Sequence, residues 1–183
     1  MPAMVVGGVA ASILGRPRAT RDIDALASVQ DDTWPDLLES ARKHGIVPRI
    51  EAPLEFARRT RVLLLRHIES AIDIDMILGK LPYELEAISR ADTHDLGGVH
   101  VKLPQVEDLL IMKAIAQRPQ DLRDIEGLLD VHPGTNLDRV HQWVQEFSTA
   151  MAMPDLLHTF EQLLDQRKAR QSSEPRPRPS PRG

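Results

Sequence analysis

Apolar residues recur along this chain in two rhythms, and the change between them falls near residue 104. Before that point, short runs alternate apolar with polar residues or are broken by glycine and proline; after it, apolar positions return every three to four residues. The pattern therefore predicts a mixed α/β front and a helical back. MPAMVV is long enough for a short strand at most, and Val9 to Leu14 reads as a short helix that begins at Gly7-Gly8 and stops at Gly15 in a left-handed turn. Arg21 to Ala27 runs Asp22, Ile23, Asp24, Ala25, the period of a strand with both aspartates on one face. Thr33 is placed to cap the next helix, with Asp36 three positions later, an apolar stripe of Trp34, Leu37, Leu38 and Ala41, and Gly45 at its end.

VLLLRHI and AIDIDMIL flank Glu69-Ser70 and read as a hairpin, in which Asp73 and Asp75 repeat the alternation of Asp22 and Asp24. Residues 82–91 read as a short helix and Val99 to Leu103 as a short strand. From Pro104 onward only helices are expected, about four, with breaks near Pro119, at the HPGTN turn from His132 to Asn136, and at Pro154; the last two are amphipathic. There is no internal repeat. The expected organisation is an α/β core over 1–103, a helical part over 104–168 that completes a cleft, and a disordered basic tail rich in proline and arginine over 169–183.

Composition narrows the chemistry. A chain of 183 residues can bury a substantial core without a staple. Zero cysteines exclude a disulfide scaffold and thiolate metal sites, so any metal must be held by oxygen or imidazole. No apolar run approaches the length of a signal sequence or membrane span, so the expectation is a cytoplasmic protein with no membrane partner. The net charge of −4 divides unevenly: the segment from Gln166 onward carries +5, leaving −9 before it. An acidic body argues against broad nonspecific nucleic-acid binding, although the arginines at 16, 18 and 21, and at 58, 59, 61 and 66, could grip phosphate locally. Histidines 94, 100 and 141 form no metal-ligand spacing, His67 reads as a satisfied sheet histidine, and Trp34 and Trp143 as core.

Two strands, each presenting aspartate, apolar, aspartate, set up to four carboxylates on one sheet face, where their repulsion needs a counter-charge. All-oxygen donors favour Mg²⁺ or Mn²⁺, which complete their coordination with phosphates and water. The glycine pair at a helix start and the arginines after it supply amides, a dipole and charge for phosphate, so the pieces together point to a nucleoside triphosphate. In DLLIMKAIA, Lys113 shares the apolar face expected to pack on the sheet, and burial there demands a phosphate or carboxylates from the next helix start as partner.

GGVAASILGRPRATRDIDAL resembles the signature of nucleotidyltransferases of the DNA polymerase beta superfamily. More narrowly, RATRDID, DMILGKLPYELEAISRA and DLLIMKAIAQRPQDLRDIEGLL are similar, in the same order, to blocks of the minimal AbiEii and MenT-like toxin nucleotidyltransferases. Those relatives carry a helix and a full first strand before the glycine pair, where this chain has MPAMVV. The resemblance implies a small mixed sheet of the polymerase-beta-type nucleotidyltransferase fold with a C-terminal helical bundle. It also implies Asp22 and Asp24 as metal ligands and Asp75 as third carboxylate and base, with Asp73 its rival. Gly7 and Gly8 would contact the triphosphate, Arg18 and Thr20 would orient it, Lys113 with Asp121 would act at the site, and Asp124 is a further nucleotide-binding candidate.

The implied reaction is Mg²⁺-dependent transfer of a nucleoside monophosphate to a hydroxyl, with a tRNA 3′ end as acceptor and an antitoxin protein as partner. Two other readings remain open: a small-molecule acceptor, as in aminoglycoside-modifying nucleotidyltransferases, and an inactive nucleotide-binding or interaction module. A DNA-binding reading has no support in the helical half, which lacks a basic recognition helix.

Overall fold

A computed structural model describes residues 1–173. Five strands form a mixed sheet in the order β1-β2-β5-β4-β3, built from β1 (Ala3–Val6), β2 (Asp22–Ala27), β3 (Ile46–Pro48), β4 (Val62–His67) and β5 (Asp73–Leu78). The central pair, β2 and β5, is parallel, and the other neighbours are antiparallel. A separate hairpin of β6 (Asp92–Asp95) and β7 (His100–Leu103) lies against β1 and turns through Gly97 and Gly98, both at positive φ.

The helices cover this sheet and then stack on one another. α1 (Gly7–Leu14), α2 (Trp34–Lys43), α3 (Pro53–Thr60) and α4 (Pro82–Arg90) alternate with the strands, and α5 (Val106–Ala116), α6 (Pro119–Val131), α7 (Leu137–Ala150) and α8 (Asp155–Ser173) follow as the bundle. Trp34 and Leu38 of α2 and Ala57 of α3 bury against Leu63, Leu65 and Leu78 of the sheet. On the aspartate-bearing face, Ala87 and Ile88 of α4 close over Met4, Val6 and Leu26, so that half of the face is sealed and the other half, with the carboxylates, is left uncovered by α4. The largest core joins α1 to the bundle through Ala10, Leu14, Leu109, Ile125, Val140 and Phe160.

The helix breaks at Pro119, His132 to Asn136 and Pro154 are as the sequence implies, because proline fits a first helical turn and lacks the N–H a helix interior needs. Several details differ from expectation. Gly15 ends α1 at φ −121°, outside the left-handed region; the glycine is required instead by crowding, since a Cβ would lie 2.9 Å from Ala11 O and 3.2 Å from Leu128 N. Thr33 turns its hydroxyl back to Gln30 O at 2.8 Å, within a 3-10 turn over Asp31–Thr33, and does not cap α2. β3, α3 and β6 were not anticipated. The segment expected to be a tail from 169 onward begins inside α8, whose helix runs to Ser173, and residues 174–183 lie outside the described residues.

α5 is apolar around most of its circumference, with Leu109, Leu110, Ile111 and Ala114 all buried, so it is a core helix with no single sheet-facing stripe. At its start Asp108 is fully buried against Arg139 of α7, at 3.0 Å, with Arg90 of α4 at 3.5 Å. Burial pushes the Asp108 carboxyl up and the Arg139 hydrogen bond pulls against that. Arg139→Leu should therefore strand a buried carboxylate and cost about 3 kcal/mol, a drop of roughly 6–12 °C in Tm on thermal melting; a melt within about 2 °C of wild type would contradict the pairing.

Candidate active site

Strand register decides where the carboxylates stand. Asp22 lies beside Asp73 and Asp24 beside Asp75 on the parallel pair, so all four occupy one face of the sheet. Val6, the last residue of β1, pairs with Asp24, which brings the next residue, Gly7, directly against the Asp24 side chain. Gly7 has φ +62°, and a Cβ there would stand 1.8 Å from Asp24 Oδ2. Both the backbone turn and the close approach thus require glycine. The Gly8 amide donates to the Asp24 carboxylate, so Asp24 caps a helix whose own N-cap residue, Val6, supplies no side-chain acceptor.

Asp24 is poorly compensated. Burial raises its carboxyl above the usual aspartate range, the charges of Asp22 and Asp75 push it further, and the Gly8 amide opposes them. Among the described residues no side chain forms an ion pair with Asp22 or Asp24; Asp22 accepts from Thr20 Oγ1 at 3.0 Å. Asp75 and Asp73 are occupied differently: Arg49 bridges them, bonding Asp75 through Nη2 and Asp73 through Nη1 at 3.1 Å, while Arg66 Nε reaches Asp73 at 2.6 Å. Those arginines hold the Asp73 carboxyl below its ordinary range. Asp73, expected as the rival third carboxylate, is thus the more heavily neutralised of the pair.

The helical half brings a second set of charges to the same place. Lys113 is 3% exposed and donates to Asp121 Oδ1 at 2.9 Å, with Asp124 Oδ2 also at 2.9 Å. Arg118, which precedes Pro119, donates to Asp121 at 2.7 Å. Burial favours the neutral form of Asp121, but the hydrogen bonds from Arg118 and Lys113 outweigh it and hold the carboxyl down. Arg18 grips Asp124 with Nε and Nη2 at 2.8 and 3.0 Å, and Gln120 adds a third donor at 2.9 Å. Ser12 of α1 fixes the Arg18 backbone, donating to its carbonyl at 2.7 Å.

A cleft of about 380 Å³ joins these parts. Gly7, Asp24, Lys113, Arg118 and Asp121 line one part of it, and mostly apolar side chains of β2, β5, α4, α5 and α7, with the Arg61–Glu84 pair, line the rest. Of the residues expected at the site, the fold gathers Gly7, Asp24, Lys113 and Asp121 in this cleft, with Asp22 and Asp75 beside Asp24 on the sheet. Gly8 packs against Thr20 and Arg18 behind it; a Cβ there would lie 2.7 Å from Thr20 Oγ1 and 3.1 Å from Arg18 Nη2. Asp124 stands behind Lys113, its oxygens taken by Arg18, Lys113 and Gln120. Among the described residues no three carboxylate or imidazole groups are drawn into one ligand set, although the sheet face carries the all-oxygen donors that a hard divalent cation takes. Arg118 and Arg49 were missed from sequence: Arg118 was legible as a helix-start residue, whereas Arg49 reaches Asp75 across β4, which no local pattern reports.

The family model described as nucleotidyltransferase of unknown function (DUF6036) matches residues 1–166. No curated protein matches the chain. Among solved structures, the solution structure of the antibiotic-resistance factor ANT(2″)-Ia is similar over 87% of this chain and 88% of its own, at TM-score 0.57 and 15% identity. The crystal structure of ANT(2″)-Ia with adenylyl-2″-tobramycin is similar over 82% and 88%, at TM-score 0.53 and 16% identity. These likenesses support the fold: a mixed α/β sheet of the nucleotidyltransferase type with a helical C-terminal bundle.

Because the Asp24 carboxyl titrates above the ordinary aspartate range, its ionised form opposes folding, and wild-type stability is lost as pH rises through the native value. Asp24→Asn should therefore raise Tm by a few degrees at neutral pH in chelator, with the gap closing below about pH 4, where both proteins are neutral at this position. An unchanged or lower Tm for the variant at neutral pH would contradict the charge assignment.

Proposed function

The chain belongs to this family of nucleotidyltransferases, and we propose that it moves a nucleoside monophosphate from a nucleoside triphosphate to the 3′ end of a tRNA, as the toxin partner of an antitoxin in the manner of AbiEii and MenT-like proteins. The observation that carries the transfer chemistry is Gly7 seated against Asp24 at the start of α1, with Asp22 and Asp75 alongside. Amides at a helix start and an anionic sheet face are what a triphosphate with a divalent cation requires together.

Each residue then has a part. Asp22 and Asp24 would hold Mg²⁺ or Mn²⁺, with Asp75 as the third ligand and the acceptor of the attacking hydroxyl's proton. Bound there, such a cation would supply charge for the leaving pyrophosphate and lower the cost of deprotonating the hydroxyl. Gly7 presents the start of α1 to the phosphates while the Gly8 amide holds Asp24, and exposed Arg118 meets their charge at the cleft mouth. Lys113 and Asp121 set the back of the polar end, and Asp124 holds Arg18 and Lys113 in place. Thr20 orients Asp22.

A second reading replaces the tRNA with a small antibiotic and is favoured by the likeness to ANT(2″)-Ia, whose structure holds adenylyl-2″-tobramycin. Cleft chemistry speaks against a polycation such as an aminoglycoside: Glu84 is bonded to Arg61 at 2.8 Å and Asp121 to Lys113 and Arg118, so few carboxylates are left to receive ammonium groups. Magnesium-dependent transfer from each α-labelled triphosphate to total tRNA, beside antibiotic acceptors, separates the readings. Label should enter RNA and fall more than about 10²-fold in Asp22→Ala and in Asp24→Ala. Label on an antibiotic alone would establish the second reading, and tight triphosphate binding without turnover on any acceptor would establish an inactive module.

A further inference from the structure

Arg49 follows the edge strand β3, and its backbone N–H donates to Leu64 O of β4 at 3.0 Å. Its side chain crosses β4 and ends over the aspartate face, where one guanidinium edge is divided between Asp75 and Asp73. Arg66, opposite Asp73 in register, holds the other oxygen of that carboxylate. Two arginines and two aspartates thus balance at the open end of the sheet, while Asp22 and Asp24 next to them have no ion pair among the described residues. Asp75 is a register neighbour of Asp24, yet it is bonded to Arg49 on the far side.

We propose that Arg49 is a positioning residue that competes with the divalent cation for Asp75, and that Asp73 is the berth on which it stays when the cation takes that carboxylate. The inference rests on the metal reading above and gives Asp73 a part other than third ligand. A guanidinium can hold two carboxylates at once and can release one while keeping the other, so the exchange needs only the Nη2 bond to open. The three side chains are 27–33% exposed, and an ion pair this open to water is weak enough for a divalent cation to displace. Until the cation arrives, the arginine cancels part of the repulsion that Asp75 adds to Asp24.

The test is Mn²⁺ binding to the full chain, followed by the spin-resonance signal of the free ion, with no nucleotide. Removing the competitor should tighten the site: Arg49→Gln is expected to lower the Mn²⁺ dissociation constant about threefold or more, and Arg49→Lys, a shorter side chain without the second guanidinium nitrogen that reaches Asp75, should shift it in the same direction. Asp73→Asn should weaken Mn²⁺ binding, because Arg49 then has Asp75 alone, and the double variant should follow Arg49→Gln. An unchanged or weaker Mn²⁺ affinity in folded Arg49→Gln and Arg49→Lys overturns the competition, as does tighter binding in Asp73→Asn. Asp24→Asn serves as the site control. Loss of its effect, with Mn²⁺ binding persisting, overturns the metal reading itself and is distinguishable from failure of the Arg49 role alone.

Discussion

Repulsion between aspartates on neighbouring parallel strands governs this molecule. β2 and β5 pair so that Asp22 meets Asp73 and Asp24 meets Asp75, and no rotation of a strand can separate them without moving the apolar half of the same face out of the core. Met4, Val6 and Leu26, sealed by α4, therefore enforce a charge arrangement that is unfavourable by itself. The protein meets part of that cost with Arg49 and Arg66 at one end and with the Gly8 amide at the other. Asp24, between them, is left short of positive charge. On the proposed reading, a hard divalent cation would supply what the protein lacks.

The helical bundle is organised by a complementary constraint, a lysine inside a core. Lys113 is carried by an apolar helix and is almost wholly buried, so two aspartates of α6 must be buried with it. Those aspartates in turn call in Arg118 and Arg18, and Arg18 is tied through Ser12 to α1, the helix whose start faces Asp24. A continuous run of ion pairs and hydrogen bonds thereby links the bundle to α1 on the sheet. Arg16 and Arg167, both bonded to Asp130, tie α8 to the same region. The cleft geometry consequently depends on charges that the bundle cannot leave unpaired.

Legibility in the sequence followed the range of each interaction. The Asp-x-Asp strands, the glycine pair, the hairpin and the four C-terminal helices could be read because alternation, helical period and proline breaks are local signals. The need of Lys113 for carboxylates at the next helix start was legible for the same reason, since both lie within a dozen residues. β3 and α3 escaped because the weak, proline-interrupted stretch from Ile46 to Thr60 carries them. Gly15 was read as a turn residue when its real constraint is Leu128, more than a hundred positions away. Arg49 escaped altogether: its place beside Asp75 and Asp73 is set by the register of three strands.

Anomalous scattering from Mn²⁺ in crystals of the full chain grown with the ion and a non-hydrolysable nucleoside triphosphate tests the central claim most directly. The account predicts a peak among Asp22, Asp24 and Asp75, with the triphosphate running to the start of α1 at Gly7 and Arg49 resting on Asp73. A peak coordinated elsewhere, at Asp121 and Asp124 for example, or a triphosphate bound away from the start of α1, would contradict it.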